Sequence, residues 1–426
     1  MKSFVLDRKN YVFVYVIGYL LRGIIYHFFP WINEILTALT ILWPLVFFAE
    51  ALKEKRRPDH LQACLLAFAA GALVSTLVNL SEVNPDAWLS LWQVMSLLLI
   101  FSLPKRESAE SARKFYTLLA EISAGFIVLL AAGSLFLLAC YKMNLSLPGG
   151  LADGSRIFTY GHMGEETRFC GLFGYSADGG NLCALSVILS LFLLEEKKWN
   201  PILAAVCIII AVITVVYLDV RTSMVELAVV ALILLYRFLK RKTSAKTACL
   251  LITGGLFAGA VLVFAVKHDA LMGMMEQMRE DPEKTLRFLT TGRSAYWASA
   301  WQGFLARPIF GYGWMNFTHM FRTYFDTHNL IFNLLFWTGL CGTVPIAVFA
   351  VLFLRQMVRE KPGWTMKAVL LAGVLAESML DRAILGTAHT APETSFFWLS
   401  AGMLAYHAAG QASGKEETEN KGEKTV

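Results

Sequence analysis

The chain of 426 residues is 56% hydrophobic and only 16% charged, with a mean hydropathy of +0.54. Soluble globular proteins carry about 25% charged residues, so this composition excludes an ordinary soluble domain. The net charge of +6 does not indicate nucleic-acid binding, because the basic residues sit in short loops between long apolar runs. The pattern predicts an all-α polytopic membrane protein embedded in the lipid bilayer.

Apolar runs long enough to span a bilayer recur along the chain. A span needs about 20 mostly apolar residues, and this length predicts about 12 transmembrane helices. They fall near residues 10–29, 31–52, 60–80, 87–103, 115–140, 178–194, 202–218, 223–239, 248–266, 328–354, 368–385 and 395–409. The short charged stretch before the first run, with no small-residue cleavage site after that run, predicts a retained signal anchor.

Loops rich in lysine and arginine predict the orientation of these spans. Each loop follows an even-numbered span, so the positive-inside rule places all of them, and both termini, in the cytoplasm. The basic loops are 53–59, 104–114, 195–200, 237–246 and 355–367. Two longer segments, 141–177 and 267–327, then lie outside the cytoplasm. We predict one multi-pass membrane domain over residues 1–412 and a charged, disordered cytoplasmic tail over residues 413–426.

The second outer segment contains an aromatic stretch from Thr291 to Phe317 that bears two arginines. Its apolar residues are spaced three and four apart, which predicts an interfacial helix in the headgroup layer. They are Tyr296, Trp297, Ala300, Trp301 and Phe304. The sequence Arg-Pro-Ile-Phe-Gly-Tyr-Gly then ends the helix, and Gly311 and Gly313 allow backbone conformations that bulkier residues resist. We expect this turn to return the chain toward His328.

Most charged residues of the predicted spans fall in the outer halves or at the outer ends of those spans. They are Arg22, Glu34, Asp178, Asp219, Arg221, Glu226, Glu377, Asp381 and Arg382. A transporter is expected to hold such costly groups near the midplane of the membrane. The clustering therefore favours a site on the extracytoplasmic face.

Two of the outer arginines are candidate ligands of a phosphate group. Arg221 lies at the tight turn between the seventh and eighth spans, and Arg293 begins the predicted interfacial helix. A guanidinium binds phosphate oxygens in a bidentate way and keeps its charge. The alternative for Arg221 is an ion pair with Asp219 or Glu226 near the interface. The alternative for Arg293 is a solvated surface charge.

His328 opens the tenth span, and Asp326 or Thr327 is predicted to cap this helix. A histidine in the first helical turn feels the positive end of the helix dipole, which favours the neutral imidazole that accepts a proton. The alternative is a polar residue that only anchors the start of the helix at the interface. Tyr324, Asp326 and Glu226 stay open as alternative bases.

Three motifs resemble the core of the O-antigen ligase and O-antigen polymerase superfamily. The first joins a Gly-Arg, a tryptophan-bearing helix and a Pro-x-x-Gly-x-Gly turn over residues 292–313, and a His-Asn then opens a glycine-containing span at 328–342. YLDVRTSMVELAVV, with its arginine after the seventh span, resembles the second motif. The Arg-x-x-Gly-x-Phe element that begins at Arg168 resembles the third. All three match in order and in predicted topology, so the resemblance covers most of the chain.

The resemblance implies a GT-C-like fold, related to the type C glycosyltransferases, in a bacterial cytoplasmic (inner) membrane. It implies metal-independent transfer of a glycan from a polyprenyl-pyrophosphate donor to a sugar hydroxyl of a glycan or glycolipid acceptor, on the outer face. Arg221 and Arg293 would hold the donor pyrophosphate, with Arg168 as an accessory contact. His328 would be catalytic, as the general base or the orienting group for the acceptor hydroxyl. The supporting residues would be Asn329, Trp297, Gly311, Gly313 and Asp326.

No cofactor and no metal are expected from the sequence. The predicted outer loops contain no Asp-x-Asp pair and no histidine–carboxylate cluster with metal-ligand spacing. The seven cysteines lie mostly in apolar runs and show no Cys-x-x-Cys pair, so they predict neither a metal site nor a disulfide framework.

Two alternative functions stay open. A ligase passes the glycan to a different acceptor, whereas a polymerase passes it to another lipid-linked repeat, and the shared motifs do not distinguish the two. A lipid or glycan transporter belongs to a different class. It would predict inverted repeats and interrupted helices in the two halves of the chain, and the sequence contains no evident internal repeat.

Overall fold

The computed structural model describes residues 8–21, 60–95, 109–147, 157–160, 167–256, 290–322 and 326–359, apart from residues 86, 93, 245, 248 and 291. It also describes isolated residues between 31 and 49, between 272 and 283, and between 373 and 378. The predicted cytoplasmic tail over 413–426 lies outside the described residues.

Helices dominate the described part of the chain. Those with defined bounds are α1 (Arg8–Leu20), α2 (His60–Val78), α3 (Ala109–Lys142), α4 (Ser176–Glu195), α5 (Pro201–Leu218), α6 (Arg221–Lys242), α7 (Arg293–Ala306), α8 (Phe317–Phe321) and α9 (Leu330–Arg359). Between α3 and α4 lie two short strands, β1 (Phe158–Tyr160) and β2 (Thr167–Phe169), and a single 3-10 turn at Gly171–Phe173.

Six helices of the described part are long and apolar enough to cross a membrane, which confirms a polytopic helical membrane protein. They are His60–Val78, Lys114–Lys142, Ser176–Glu195, Pro201–Leu218, Arg221–Lys242 and Leu330–Arg355. They coincide with the third, fifth, sixth, seventh, eighth and tenth predicted spans. The other six predicted spans lie partly or wholly outside the described residues, so the total of about 12 remains a prediction.

Small residues let the helices approach one another closely. α4 packs against α3, α5 and α6, and α2 packs antiparallel against α9. A Cβ on Gly180 would come within 2.6 Å of the Val220 side chain, and one on Gly71 would lie 2.4 Å from the Cys341 carbonyl oxygen. Lipid tails are as apolar as leucine, so close packing at small residues is the usual source of helix association in membranes.

A short antiparallel hairpin interrupts the helical pattern before α4. β1 pairs with β2 so that Thr159 lies opposite Arg168. The chain then turns at Gly171, which has a φ of 56°, and the Leu172 amide donates a hydrogen bond to the Ser134 hydroxyl of α3 at 2.9 Å. The hairpin corrects the all-α prediction for this segment. Strands of three residues are too short to leave an alternating pattern in the sequence.

Helix α9 is broken at Gly339, where φ is 56° and ψ is −152°. The turn over residues 308–313 fills this break and exchanges backbone hydrogen bonds with both sides of it. The Tyr312 and Gly313 amides donate to the Phe336 and Trp337 carbonyls (2.9 and 2.9 Å), and the Leu340 and Cys341 amides donate to the Pro308 and Ile309 carbonyls (2.8 and 3.0 Å). The backbone groups released by the break are thereby satisfied inside the protein, as a membrane helix requires.

The inserted turn contains Gly311 and Gly313, and their positive φ angles of 63° and 93° agree with the predicted glycine requirement. Its destination was predicted wrongly. The sequence predicts a turn directed at His328, whereas the turn docks on the interior of α9, where a Cβ on Gly311 would lie 2.4 Å from the Phe336 carbonyl oxygen. The turn pairs with the break in α9, and the only local sequence signal for that break is Gly339.

We expect Gly339→Ala to destabilise the protein. A Cβ there would lie 2.5 Å from the Ile309 carbonyl oxygen, in a backbone conformation that side chains rarely adopt. Strain of this kind costs about 1–3 kcal/mol, so the thermal midpoint in detergent should fall by several degrees. Gly125→Ala in α3 is the matched control, because nothing lies within 4 Å of the added Cβ. Equal midpoints for the two variants would contradict the inserted-turn architecture.

Candidate functional site

Helix α7 begins at Arg293, as the aromatic stretch predicts. The preceding Gly292 has a φ of 82°, and Thr290 accepts the first amides of the helix. The Arg293 amide donates to the Thr290 carbonyl at 3.1 Å, and the Ser294 amide donates to the Thr290 hydroxyl at 3.0 Å. These contacts fix the start of α7, so the backbone position of Arg293 is defined.

One face of α7 is buried against α9. Ala300 is fully buried, and a Cβ on Gly303 would come within 2.5 Å of the Phe336 ring. Trp301, predicted on the apolar face, is 44% exposed. The packed face therefore consists of small residues that admit the aromatic side chains of α9.

Residues 326–329, which we call the histidine segment, lead into α9. His328 has a left-handed φ of 48°, and its amide donates to the Asp326 carboxylate at 2.8 Å. The Asn329 side chain caps α9, because its Oδ1 accepts the Ile331 and Phe332 amides at 3.0 and 3.2 Å. The predicted caps Asp326 and Thr327 are therefore wrong. His328 precedes the helix cap, so it does not lie in the first helical turn as predicted.

Two side chains from α7 and α9, those of Trp297 and Asn333, hold the histidine segment. The Trp297 indole of α7 donates to the Thr327 carbonyl at 2.8 Å and stacks on Phe332, with ring centroids 5.9 Å apart. The buried Asn333 of α9 accepts the Thr327 hydroxyl at 2.7 Å and the Thr327 amide at 3.3 Å. A non-glycine residue in the left-handed region persists only where its surroundings determine it, and such residues cluster at functional sites.

These contacts bring Arg293 and His328 to the same end of α7 and α9. Arg293 lies one helical turn before Trp297, where side chains four residues apart are neighbours. Trp297 contacts the residue immediately before His328. Both predicted residues are partly exposed, so a ligand can reach them. Asn333 was missed from the sequence, because a buried asparagine in an apolar run resembles any other polar core residue.

Arg221 lies on a second group of elements. It is the first residue of α6, two residues after Asp219, which caps the end of α5 with a left-handed φ of 51°. The Ser223 hydroxyl donates to the Asn181 side chain of α4 at 2.7 Å and fixes this turn. The Arg221 side chain is exposed and forms no ion pair or hydrogen bond within the described residues. The alternative pairing with Asp219 or Glu226 is therefore not seen there.

The two predicted phosphate ligands, Arg221 and Arg293, are thus each the first residue of a helix. A cation there faces the positive end of the helix dipole, which costs about 0.3–1 kcal/mol at an exposed site. Neither N-cap, Val220 before Arg221 or Gly292 before Arg293, forms a side-chain capping hydrogen bond. The combination of an arginine with a helix N-terminus is unfavourable for stability and favourable for binding an anion.

Arg168 lies on β2, which packs against α5. Its side chain is exposed, and the strand is tied to the helical bundle through the turn at Gly171 and Ser134. Because α5 ends immediately before the Arg221 turn, Arg168 and Arg221 belong to neighbouring elements. A shared site for Arg168, Arg221 and Arg293 remains a prediction.

Glu226 is distinct from the other predicted outer charges. It lies in α6, is 1% exposed, and its Oε2 has no hydrogen-bond partner within the described residues. A Cβ on Gly373 would lie 3.0 Å from its Oε1. Such burial makes Glu226 unsuited to act as a base on an acceptor that arrives from the surface, whereas Asp326 is already committed to the His328 amide.

We expect Trp297→Phe to loosen the histidine segment without unfolding the protein. The variant keeps the ring on Phe332 but removes one hydrogen bond, which is worth about 1 kcal/mol or about a fivefold change in an equilibrium. Modification of His328 by diethylpyrocarbonate, followed by peptide mass spectrometry, should accelerate by about that factor. Trp301→Phe, on the exposed face of α7, is the control and should leave the rate unchanged. An unaltered rate in Trp297→Phe would contradict the positioning contact.

Comparison with known proteins agrees with the motifs. Residues 205–347 match the family model described as O-antigen ligase. This range contains Arg221, Arg293 and His328, together with the inserted turn and the break in α9, whereas Arg168 precedes it. No curated protein gives a significant match to the chain. Residues 205–347 are therefore similar to the O-antigen ligase family, in agreement with the motifs.

Proposed function

We propose that the protein transfers a glycan from a polyprenyl-pyrophosphate donor to a sugar hydroxyl, on the extracytoplasmic face of a bacterial cytoplasmic membrane. The observation that carries the proposal is the arrangement at the joint ends of α7 and α9. There His328, partly exposed and in a left-handed conformation, donates its amide to Asp326, and Trp297, one helical turn after Arg293, donates to the neighbouring Thr327 carbonyl. The family match supports a ligase or polymerase of this class.

The chemistry requires a base and a cationic binding site for the leaving group. The acceptor hydroxyl oxygen attacks the anomeric carbon of the donor sugar, while the bond from that carbon to the pyrophosphate oxygen breaks. His328 takes the hydroxyl proton during the attack, since the hydroxyl pKa is far too high for ionisation beforehand. Attack on the face opposite the pyrophosphate inverts the anomeric carbon.

Arg293 and Arg221 supply the stabilisation of the leaving group. The departing polyprenyl pyrophosphate gains negative charge, and fixed guanidinium groups stabilise this charge without reorganising at the moment of reaction. An arginine at the first residue of a helix adds the positive end of the helix dipole to its own charge. Two such arginines provide what divalent cations provide in other pyrophosphate-releasing enzymes, so we propose transfer that does not depend on a metal. Arg168 is proposed as an accessory contact.

A transporter is less consistent with the described residues. The break in α9 is the kind of interruption that transporters use to bind cargo. Here the inserted turn occupies the break and satisfies the exposed backbone groups, so those groups are not available to a substrate.

The variants His328→Ala, Arg293→Ala and Arg221→Ala are each expected to lower glycan transfer by about 100-fold or more, because each removes a proton acceptor or a transition-state ligand. The assay uses purified protein in nanodiscs with a polyprenyl-pyrophosphate glycan donor and EDTA. Arg221→Ala should leave the thermal midpoint unchanged or raised, since it removes a charge that opposes the helix dipole. Arg241→Ala, at the opposite end of α6, is the matched control and should retain full transfer.

The same assay separates the two reactions of the superfamily. Transfer to a separately added glycolipid acceptor identifies a ligase, whereas chain growth from the donor alone identifies a polymerase. Absence of transfer under both conditions, or loss of transfer in EDTA with recovery on adding a divalent cation, would contradict the proposal.

A further inference from the structure

The turn that fills the break in α9 is anchored to the end of α2. The Ser75 hydroxyl contacts the Phe310 carbonyl and lies 2.6 Å from the Trp337 carbonyl. The Asn79 side-chain amide donates to the Gly311 carbonyl at 3.2 Å. The last turn of α2 and the residue that follows it therefore hold both the inserted turn and the broken helix that it fills.

Arg307 joins this anchor to the last turn of α7. Its guanidinium donates two hydrogen bonds to the Glu82 carboxylate, at 2.8 and 3.0 Å, and one to the Asn79 side-chain oxygen at 2.6 Å. It also lies 4.4 Å from the centre of the Tyr312 ring. A bidentate arginine–carboxylate pair fixes orientation as well as distance. Arg307 is thereby committed to the protein and differs from Arg221, whose side chain has no partner among the described residues.

The position of this contact relates it to the predicted active residues. Arg307 follows the last residue of α7 directly, and Arg293 and Trp297 lie toward the other end of the same helix. The inserted turn follows α7 in the chain and pairs with the part of α9 that follows Asn333. A displacement at Arg307 therefore moves α7 relative to α9, and Trp297 spans those two elements through its contact with Thr327.

We propose that Arg307 and Glu82 form a clamp that sets the position of α7, and through it of Arg293 and the histidine segment. Both are positioning residues, because neither is assigned a contact with substrate. The proposal rests on the proposed function for its catalytic consequence. Its structural part, the position of α7, is independent of any activity.

The clamp is sensitive to acid. The hydrogen bonds from Arg307 hold the pKa of the Glu82 carboxyl below its usual range; burial acts in the opposite direction, and the charge of Arg307 adds a smaller lowering. A carboxyl with a lowered pKa contributes stability at higher pH and loses it as the pH falls through that lowered pKa. The described residues that contact this pair are Asn79 and Tyr312, both through Arg307. The clamp should therefore persist through neutral and mildly acidic conditions and open only in stronger acid.

The test measures position and activity separately. Gln302, exposed on α7, is replaced by cysteine in a Cys249→Ser background, and its reaction rate with a polar maleimide is followed in nanodiscs. Glu82→Gln and Arg307→Lys should change this rate, and each should lower glycan transfer by about fivefold through loss of charge-assisted hydrogen bonds. The charge exchange, Glu82→Arg with Arg307→Glu, should restore both quantities in part, because it rebuilds the ion pair but not the hydrogen bond from Arg307 to Asn79.

The matched control is Glu195→Gln. Glu195 lies 3.6 Å from Arg237 in another ion pair between helices, and its loss should alter neither labelling nor transfer. The parent protein should lose transfer in strong acid as Glu82 is protonated, and the Glu82→Gln variant should not show this part of the loss. Unchanged labelling and transfer in Glu82→Gln and Arg307→Lys would overturn the clamp, as would defective single variants that the charge exchange does not rescue. Labelling that shifts as expected in a protein that transfers no glycan would support the clamp and overturn the proposed function alone.

Discussion

The described architecture depends on the exchange of backbone hydrogen bonds between the broken helix α9 and the turn over residues 308–313. An open break in a membrane span leaves amides and carbonyls without partners, and no water is available in the hydrocarbon to replace them. The turn satisfies these groups and, in doing so, fixes the end of α7 against α9. The position of α7 therefore depends on the hydrogen bonds between the turn that follows it and the break in α9. These bonds make α7 and α9 one structural unit.

The predicted chemistry follows from that unit. Trp297 reaches from α7 to the residue before His328, and Asn333 reaches there from α9, so the histidine is held by both elements at once. Arginines at the first positions of α6 and α7 oppose the helix dipoles. Such local costs are expected where function, and not stability alone, determines the residue.

Arg307, Arg221 and Arg293 lie in elements predicted to be outside the cytoplasm, and their different surroundings suit different roles. Arg307 is bound by a carboxylate, an amide and an aromatic ring, which suits a fixed structural contact. Arg221 is exposed at a turn fixed by Ser223 and Asn181, which suits a ligand that arrives from outside. Arg293 stands at the start of the helix that Arg307 terminates. A single helix thus connects a structural arginine with a predicted substrate-binding one.

The sequence alone determined the membrane class, the positions of the six described spans, the helix that begins at Arg293 and the resemblance to the O-antigen ligase family, because these depend on composition, on helical periodicity and on short motifs that are contiguous in the chain. Tertiary structure decided the break in α9, the true destination of the glycine turn, the position of His328 before the helix cap and the commitment of Arg307 to Glu82. Each of these depends on contacts between residues far apart in sequence, such as Arg307 and Asn79, which no local pattern records. The physical reason is that a released backbone group or an arginine can be satisfied by many partners, and only the packing of the helices selects one of them.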